Sequence, residues 1–175
     1  MQKIETIFIV DDDAMQADML ADYLSKFPAY KTHIFHSGEE CINNLSLNPQ
    51  IIFLDYYFDK VHGEAMNGIR ILKKIKELKP NTEVVMFSGQ DRIEVAVNSM
   101  KYGAFDYIVK SESAFHRSEN AIFNIIKYSK LKHDATFYKK LFFSFLIVFS
   151  VVLVIVAILI ITGVVHEHFG LEYGA

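Results

Sequence analysis

Carboxylates follow two short apolar runs of the sequence, each at the point where a buried strand would end. Residues 51–54 lead into Asp55, and residues 6–10 lead into Asp11 and Asp12. Apolar runs of this length, bounded by polar residues, are typical of central strands in a parallel sheet. Because ligands bind beyond the carboxyl ends of such strands, we expect these carboxylates to meet at one edge of the sheet.

Two later strand-like runs end in Ser88 and Lys110, which adds a hydroxyl and an ammonium group to the same edge. Three clustered carboxylates repel one another unless a cation lies among them. Mg²⁺ suits this cluster because it takes hard oxygen ligands and keeps waters that a phosphoryl group can displace. One carboxylate can then attack phosphorus to give an aspartyl phosphate, whose oxygens the Lys and Ser side chains can bind.

Five strand-like runs alternate with five helical patterns in the first three quarters of the chain. The strands are expected at 6–10, 30–36, 51–54, 83–87 and 104–109. The helices are expected at 14–27, 37–47, 68–79, 91–102 and 113–132. This alternation requires right-handed parallel crossovers and predicts an α/β fold with an open, doubly wound sheet.

Polar residues are predicted to begin three of these helices. Ser37 and Glu40 have the spacing of a capping box. Asp91 is expected to cap the fourth helix, and Asp13 is interpreted as a cap or turn residue rather than a ligand.

A long apolar segment follows the alternating region. Residues 141–165 contain no charged side chain and consist almost wholly of Leu, Ile, Val, Phe and Ala. As a helix this segment would reach roughly 37 Å, which spans a hydrocarbon core of about 30 Å with some tilt. A buried helix of a soluble core is the alternative, but such helices usually carry a polar stripe and are shorter. The pattern therefore predicts one transmembrane helix.

The charges on either side of this helix predict its orientation. Lysines 127, 130, 132, 139 and 140 precede it, whereas the far side has acidic residues and no Lys or Arg. By the positive-inside rule, residues 1–140 are expected in the cytoplasm and residues 166–175 outside, which predicts a single-pass protein of the bacterial inner membrane. Neither Gly nor Pro occurs between Ser113 and Thr162, so the fifth helix could run into the span with little or no break; a flexible joint at residues 133–136, where helix propensity is lower, is the alternative.

Other global features agree with a cytoplasmic setting. No secretory signal is recognisable at the amino terminus. Cys41 is the sole cysteine, so a disulfide framework is excluded. The net charge of −3 argues against a nucleic-acid-binding protein.

The motifs in residues 4–130 closely resemble the receiver domain of two-component response regulators. Four stretches match family motifs in the right order: Val-Asp-Asp-Asp at 10–13, Phe-Leu-Asp at 53–55, Met-Phe-Ser-Gly at 86–89 and Gly-Ala-Phe-Asp-Tyr-Ile-Val-Lys at 103–110. The resemblance implies a flavodoxin-like (βα)5 fold with strand order 2-1-3-4-5. It also implies phosphorylation by a sensor histidine kinase or phosphotransfer protein, and a homodimer formed through helix 4, strand 5 and helix 5.

The same resemblance implies a role for each residue of the site. Asp55 would accept the phosphoryl group. Asp12, Asp55 and the backbone carbonyl of Tyr57 would hold Mg²⁺, with Asp11 acting through water. Ser88 and Lys110 would bind the phosphoryl oxygens, and Tyr107 would be an aromatic switch that turns inward when Ser88 moves.

The sequence departs from the family at two places near this site. Ser111 follows Lys110 where the family usually has a Pro joined through a cis peptide, and a cis bond to Ser is several kcal/mol costlier, so a trans bond is expected. The loop after Asp55 lacks the usual Pro and is about five residues longer than in the family. Tyr56, Tyr57 and His62 of this loop could shield an acyl phosphate, although an exposed loop is favoured.

A second candidate site lies in the carboxy-terminal tail. His166 and His168 have the spacing of a metal pair, and Glu167 lies between them. Further ligands are lacking nearby, so an incidental site is favoured.

Together these observations predict a membrane-anchored single-domain response regulator that is a phosphoacceptor rather than an enzyme. Its expected parts are a receiver at 1–132, a basic juxtamembrane segment at 133–140, a transmembrane helix at 141–165 and a short tail at 166–175. Little chain remains for an output domain, so DNA-binding or enzymatic output is not expected.

Two alternatives stay open. One is a haloacid-dehalogenase-like phosphatase, because Asp11 and Asp13 form an Asp-x-Asp motif after the first strand. The other is a receiver-like membrane adaptor that binds partners without being phosphorylated.

Overall fold

In a computed structural model of the protein, the described residues form five parallel strands and five α-helices. The structure describes residues 5–58, 67–89 and 91–169, with the side chains of 133–136 and 161–169 outside the description. The strands are β1 (Glu5–Val10), β2 (Tyr30–Phe35), β3 (Ile51–Leu54), β4 (Glu83–Ser88) and β5 (Asp106–Val109). The helices are α1 (Ala14–Ser25), α2 (Gly38–Asn43), α3 (Gly68–Leu78), α4 (Ile93–Lys101) and α5 (Ala114–Phe169).

The strands form one sheet in the order β2-β1-β3-β4-β5, and every pair is parallel. The predicted flavodoxin-like α/β fold and its strand order are therefore confirmed. The strand order reverses between β1 and β3, which is where a doubly wound sheet opens a crevice for ligands.

Alternate side chains of the central strand pack against opposite layers of helices. In β3, Ile51 and Phe53 belong to a cluster that includes residues of α1 and α5. Ile52 and Leu54 belong to the other cluster, which includes residues of α3. All four side chains are at most 1% exposed, so the apolar run is buried on both faces, as its composition predicted.

The helix starts show which caps the sequence predicted correctly. Asp13 caps α1, where its side chain accepts hydrogen bonds from the backbone N–H groups of Met15 and Gln16. Ser37 caps α2 and accepts from the Glu40 N–H at 3.1 Å. The Glu40 carboxylate accepts in return from the backbone N–H of His36, one residue before the cap.

The prediction that Asp91 caps α4 is wrong. The N-cap position is occupied by Arg92, whose side chain makes no capping hydrogen bond, and the helix begins one residue later than Asp91 would require. The strand β5 also begins at Asp106 instead of residue 104, because the Ala104 N–H donates to the Ser99 carbonyl at the end of α4. The second helix is also shorter than expected, because α2 ends at Asn43 and a 3₁₀ turn follows it.

The chain divides into two compact units, Met1–Ile126 and Lys127–Ala175. The first unit contains the whole sheet. The second contains the larger part of α5, a helix that is long and apolar enough to cross a membrane by length and composition. Within residues 137–160 of this helix the side chains are exposed, including those of Phe145 and Ile155.

Candidate functional site

The register of the sheet brings the predicted site residues to one edge. Val10 pairs with Leu54, so the residues that follow them, Asp11 and Asp55, lie side by side. The Asp55 N–H donates to the Val10 carbonyl at 2.9 Å, which continues the ladder by one residue. The ladder between β4 and β5 is continued in the same way, because the Lys110 N–H donates to the Ser88 carbonyl at 2.8 Å.

The side chain of Lys110 links two of the carboxylates. Its Nζ lies 2.6 Å from Oδ2 of Asp11 and 3.4 Å from Oδ1 of Asp55. These three side chains are 15%, 4% and 9% exposed respectively, so the charges are largely shielded from water. A cation at this depth compensates part of the electrostatic cost of burying two carboxylates.

Burial controls the protonation of this cluster. The pKa of Asp55 is raised from its ordinary value of 3.8 to about 6, mainly by desolvation; the nearby charge of Lys110 opposes this rise, and the charge of Asp11 contributes to it. The pKa of Asp11 is also raised, mainly by desolvation and against the hydrogen bond from Lys110. A single ammonium group therefore does not fully compensate the pair, and the site favours a further cation.

Oxygen ligands for such a cation are present. Asp11, Asp12 and Asp55 each offer a carboxylate oxygen, and these oxygens lie within 4.8 Å of one another. Asp12 is the least buried of the three. A cavity of about 340 Å³ opens over them and is also lined by Tyr57 and Lys110. Hard, clustered oxygens beside an open cavity fit Mg²⁺, which retains part of its water shell in proteins.

The other two predicted site residues, Ser88 and Tyr107, are both buried. Ser88 is fully buried, and Tyr107 is 9% exposed. Burial raises the pKa of the Tyr107 phenol, whereas a hydrogen bond with the Ser88 side chain lowers it. The two residues predicted to act together as a switch therefore contact each other, with the tyrosine ring in the buried position.

Several contacts around the site have no signal in the sequence. A Cβ atom added to Gly68 would overlap the backbone oxygen of Asp55 and would lie 2.8 Å from the Cα of Tyr56. His36 donates through Nδ1 to the Asp11 carbonyl at 3.1 Å. Arg117 of α5 donates to the carbonyl of Tyr107 at 3.2 Å. A glycine after an Asn indicates a helix start or a turn, but it does not indicate which backbone will lie against it.

The two departures from the family have different outcomes in the structure. The peptide bond between Lys110 and Ser111 is trans, as expected for a serine, and the ammonium group of Lys110 still contacts both carboxylates. In the loop after Asp55, Tyr57 is 47% exposed and its ring lies edge-on to that of Tyr56. His62 lies outside the described residues, as do the side chains of His166, Glu167 and His168.

Comparison with known proteins identifies the family. Residues 7–118 match the model of the response regulator receiver domain. The chain belongs to this family. Receiver domains are signalling phosphoacceptors that interact with histidine kinases or phosphotransfer proteins. They bind Mg²⁺ through an acidic pocket, which corresponds here to the cluster of Asp11, Asp12 and Asp55.

Receivers occur both in long regulators and in short proteins among the relatives. The chain is 32% identical over 109 residues to the nitrogen assimilation regulatory protein NtrX of Azorhizobium caulinodans, covering 62% of this chain and 23% of that protein. It is 30% identical over 105 residues to the chemotaxis protein CheY of Thermotoga maritima, covering 59% of this chain and 83% of CheY. The chain thus spans about a quarter of the length of NtrX.

A solved structure supports the same fold. The crystal structure of NtrX from Brucella abortus in complex with ATP superimposes with a TM-score of 0.67 at 29% identity, covering 76% of this chain and 29% of that one.

Proposed function

We propose that this protein is a membrane-anchored, single-domain response regulator that is phosphorylated on Asp55. The observation that carries the proposal is the arrangement of Asp55: its carboxylate is buried, lies 3.4 Å from Lys110 and belongs to a cluster of three acids beside an open cavity. A phosphoacceptor must be ionised, oriented and able to reach a donor from solvent; the ammonium group of Lys110 favours the ionised carboxylate, and the cavity gives a donor access to it.

In the proposed reaction an oxygen of Asp55 attacks the phosphorus of a phosphohistidine on the partner. The new O–P bond forms as the P–N bond breaks, and the electron pair of that bond stays on the imidazole. Lys110 and Ser88 bind the phosphoryl oxygens, which accounts for an ammonium group and a buried hydroxyl on the side of the site formed by β4 and β5.

Asp12, Asp55 and the carbonyl of Tyr57 are the proposed Mg²⁺ ligands, with Asp11 acting through water. When bound, the ion would neutralise charge on the transferred phosphoryl group. Tyr107 is the proposed switch residue. Because its phenol already contacts the Ser88 hydroxyl, a shift of Ser88 toward a phosphoryl oxygen would change the environment of the ring directly.

The phosphatase alternative loses support at Asp13. The Asp13 side chain accepts two hydrogen bonds from the start of α1, so it serves as a helix cap instead of the second member of an Asp-x-Asp pair. Membership of the receiver family argues in the same direction.

The proposed membrane anchor is the apolar part of α5. Residues 141–165 are proposed as the span, with the receiver at 1–132 in the cytoplasm, the basic segment at 133–140 next to the inner membrane and the tail at 166–175 outside. The support is the length of the helix, the absence of charge in the span and the lysines that precede it. A homodimer through the α4, β5 and α5 face of the receiver remains a proposal from the family resemblance.

Phosphorylation and anchoring can be tested on the full chain. Acetyl phosphate with Mg²⁺ should label the protein in membrane vesicles, and Asp55→Asn should abolish the label, whereas Asp18→Asn on the exposed face of α1 should retain it. A label that survives in Asp55→Asn and is lost in Asp11→Asn would favour the phosphatase alternative. Absence of label and of beryllofluoride binding in the wild type would favour the unphosphorylated adaptor.

Anchoring has a separate readout. The protein should stay with membranes after carbonate extraction, and protease added to spheroplasts should leave the receiver intact. A receiver that is digested while the tail is protected would overturn the orientation, and release into the supernatant would overturn the anchor.

A further inference from the structure

A regular apolar repeat runs along α5 within the second compact unit. Its positions alternate in steps of three and four residues, which is the spacing of the a and d positions of a heptad. We call these positions the α5 seam: Tyr128, Leu131, Ala135 and Tyr138, which stand among polar neighbours, and their continuation at Phe142, Phe145 and Phe149 into the uniformly apolar segment. A seam with this period indicates a helix that packs lengthwise against another helix.

The seam is narrow and free of charge in the part that precedes the proposed span. All charged residues between 127 and 140 lie off the seam. Of the large apolar residues in that segment, only Phe137 lies off the seam. A stripe confined to the a and d positions is typical of a coiled-coil seam, whereas a helix lying on a globular core or a membrane surface has a wider apolar face.

The seam residues whose side chains the structure describes, all except Ala135, are exposed within the chain. Leu131 is 61% exposed, Tyr138 is 68% exposed and Phe145 is 64% exposed. The rings of Phe145 and Phe149 stack with their centroids 6.2 Å apart, so successive seam residues project from the same side of the helix. Covering apolar side chains that lie outside the lipid lowers the free energy. The seam residues between 128 and 138 precede the proposed span, so they are such side chains.

We propose that a second copy of this chain covers the α5 seam, with the two helices parallel and in register. Copies of a single-pass protein share one orientation in the membrane, so identical seam residues meet across a two-fold axis. The proposal rests on the membrane anchoring proposed above, but it does not depend on phosphorylation.

The charges beside the seam fit this parallel arrangement. Residues 134 and 139 are an acid and a lysine five positions apart, which is the spacing of attractive g-to-e contacts between parallel helices. The preceding pair, Lys127 and Lys132, repels across the interface and weakens the association of the water-exposed segment. Confinement to a membrane raises the effective concentration of the copies and offsets this weakness.

A helix lying flat on the membrane surface fits less well. Such a helix would have to turn near Lys140 to enter the bilayer, but α5 continues through Lys140 without interruption. Neither Gly nor Pro occurs in this region to support a turn.

Disulfide trapping in membrane vesicles tests the proposal on the full chain. Single cysteines are introduced on the seam at Leu131 and Tyr138 and off the seam at Lys130 and Phe137, and a mild copper oxidant is added. Phe137→Cys and Tyr138→Cys form a matched pair because both replace exposed aromatic residues at adjacent positions. The native Cys41 is buried, so the wild type supplies the background.

We expect at least fivefold more cross-linked dimer from the seam positions than from their off-seam neighbours. Equal yields at all four positions would indicate random collision and would overturn the proposal. Absence of cross-links, together with quenching of a Tyr138→Cys fluorophore by brominated lipids, would place the seam on the membrane surface and overturn it as well.

The same vesicles separate this proposal from the proposed function. Labelling of Asp55 by acetyl phosphate is measured on each variant. A seam-specific pattern without any label would contradict only the phosphoacceptor role, and a normal label without a seam-specific pattern would contradict only the self-association.

Discussion

The ammonium nitrogen of Lys110 lies 2.6 Å from a carboxylate oxygen of Asp11, closer than it lies to the proposed phosphoacceptor. Lys110 therefore compensates mainly the charge of Asp11, and its contact with Asp55, at 3.4 Å, is weaker. This division explains why burial dominates at Asp55 and raises its pKa to about 6 despite a cation nearby. It also leaves an oxygen of Asp55 available for a metal ion and for phosphorus.

Replacing Lys110 by Met should raise the pKa of Asp55 above about 6 and reduce acetyl phosphate labelling at pH 7 at least tenfold. The charge of Lys110 lowers the pKa of Asp55, so its removal favours the protonated carboxyl group, which is not a nucleophile. Carboxyl ¹³C chemical shifts in a metal-free pH titration measure the first effect. The exposed Lys101 of α4 provides the control, because Lys101→Met should change neither quantity; an unchanged titration in Lys110→Met would contradict the assignment.

The sequence predicted the position of this site better than its internal contacts. Asp11 and Asp55 could be placed together because parallel strands end at a common edge, and that rule needs no knowledge of side-chain packing. The position of Lys110, closer to Asp11 at 2.6 Å than to Asp55 at 3.4 Å, depends on small differences in distance across β1, β3 and β5. Such distances follow from the packed structure and have no counterpart in the spacing of residues.

Local signals at the helix ends were informative only when a side chain carried them. Asp13 and Ser37 were predicted because each offers an oxygen to free N–H groups at a helix start. Asp91 offers one too, but α4 begins at Ile93 after Arg92, so no capping side chain marks the boundary there. The contact of Gly68 with the backbone of Asp55 could not be predicted, because the local sequence around either residue does not indicate that the two segments meet.

Asp55→Asn should stabilise the metal-free protein above pH 6. Because the folded-state pKa of Asp55 is raised to about 6, above the ordinary 3.8, the folded state binds more protons than the unfolded state between these values. Stability therefore falls as the pH rises through this window, and an uncharged Asn avoids the loss. The expected gain is about 1–3 kcal/mol at pH 7.5 and close to zero at pH 3.5, measured by urea unfolding of the metal-free protein.

Mg²⁺ provides the internal control for that prediction. The ion should stabilise the wild type, which keeps all three carboxylates, more than Asp55→Asn, so the difference between them should shrink as Mg²⁺ is added. A variant that is less stable than the wild type at pH 7.5 without metal would contradict the raised pKa.

The thiol of Cys41 should be unreactive in the folded protein. Its side chain is fully buried in the core, and burial raises its pKa to about 12, so almost no thiolate exists at pH 8. Ellman's reagent should label less than a tenth of the protein in an hour without denaturant and all of it in 8 M urea. A Leu131→Cys variant, with its exposed position on α5, should gain one rapidly reacting thiol and shows that the reagent is active. Rapid labelling of the folded wild type would instead show that the α2 region opens.

Gly68→Ala should disturb the proposed phosphoacceptor through its backbone. The added methyl group would overlap the Asp55 carbonyl oxygen and approach the Tyr56 Cα to 2.8 Å, and both are backbone atoms that cannot rotate away. The start of α3 must then shift from the end of β3, which we expect to cost about 1–3 kcal/mol of stability and to slow acetyl phosphate labelling. Gly89→Ala is the matched control for stability, because a Cβ at that position meets no atom within 4 Å. Urea unfolding of both variants measures the difference, and equal stabilities would show that α3 can retreat from β3 without cost. If the stabilities are equal but only Gly68→Ala loses labelling, the loss would still locate the effect at the Asp55 carbonyl, because α3 would have moved while the core remained intact.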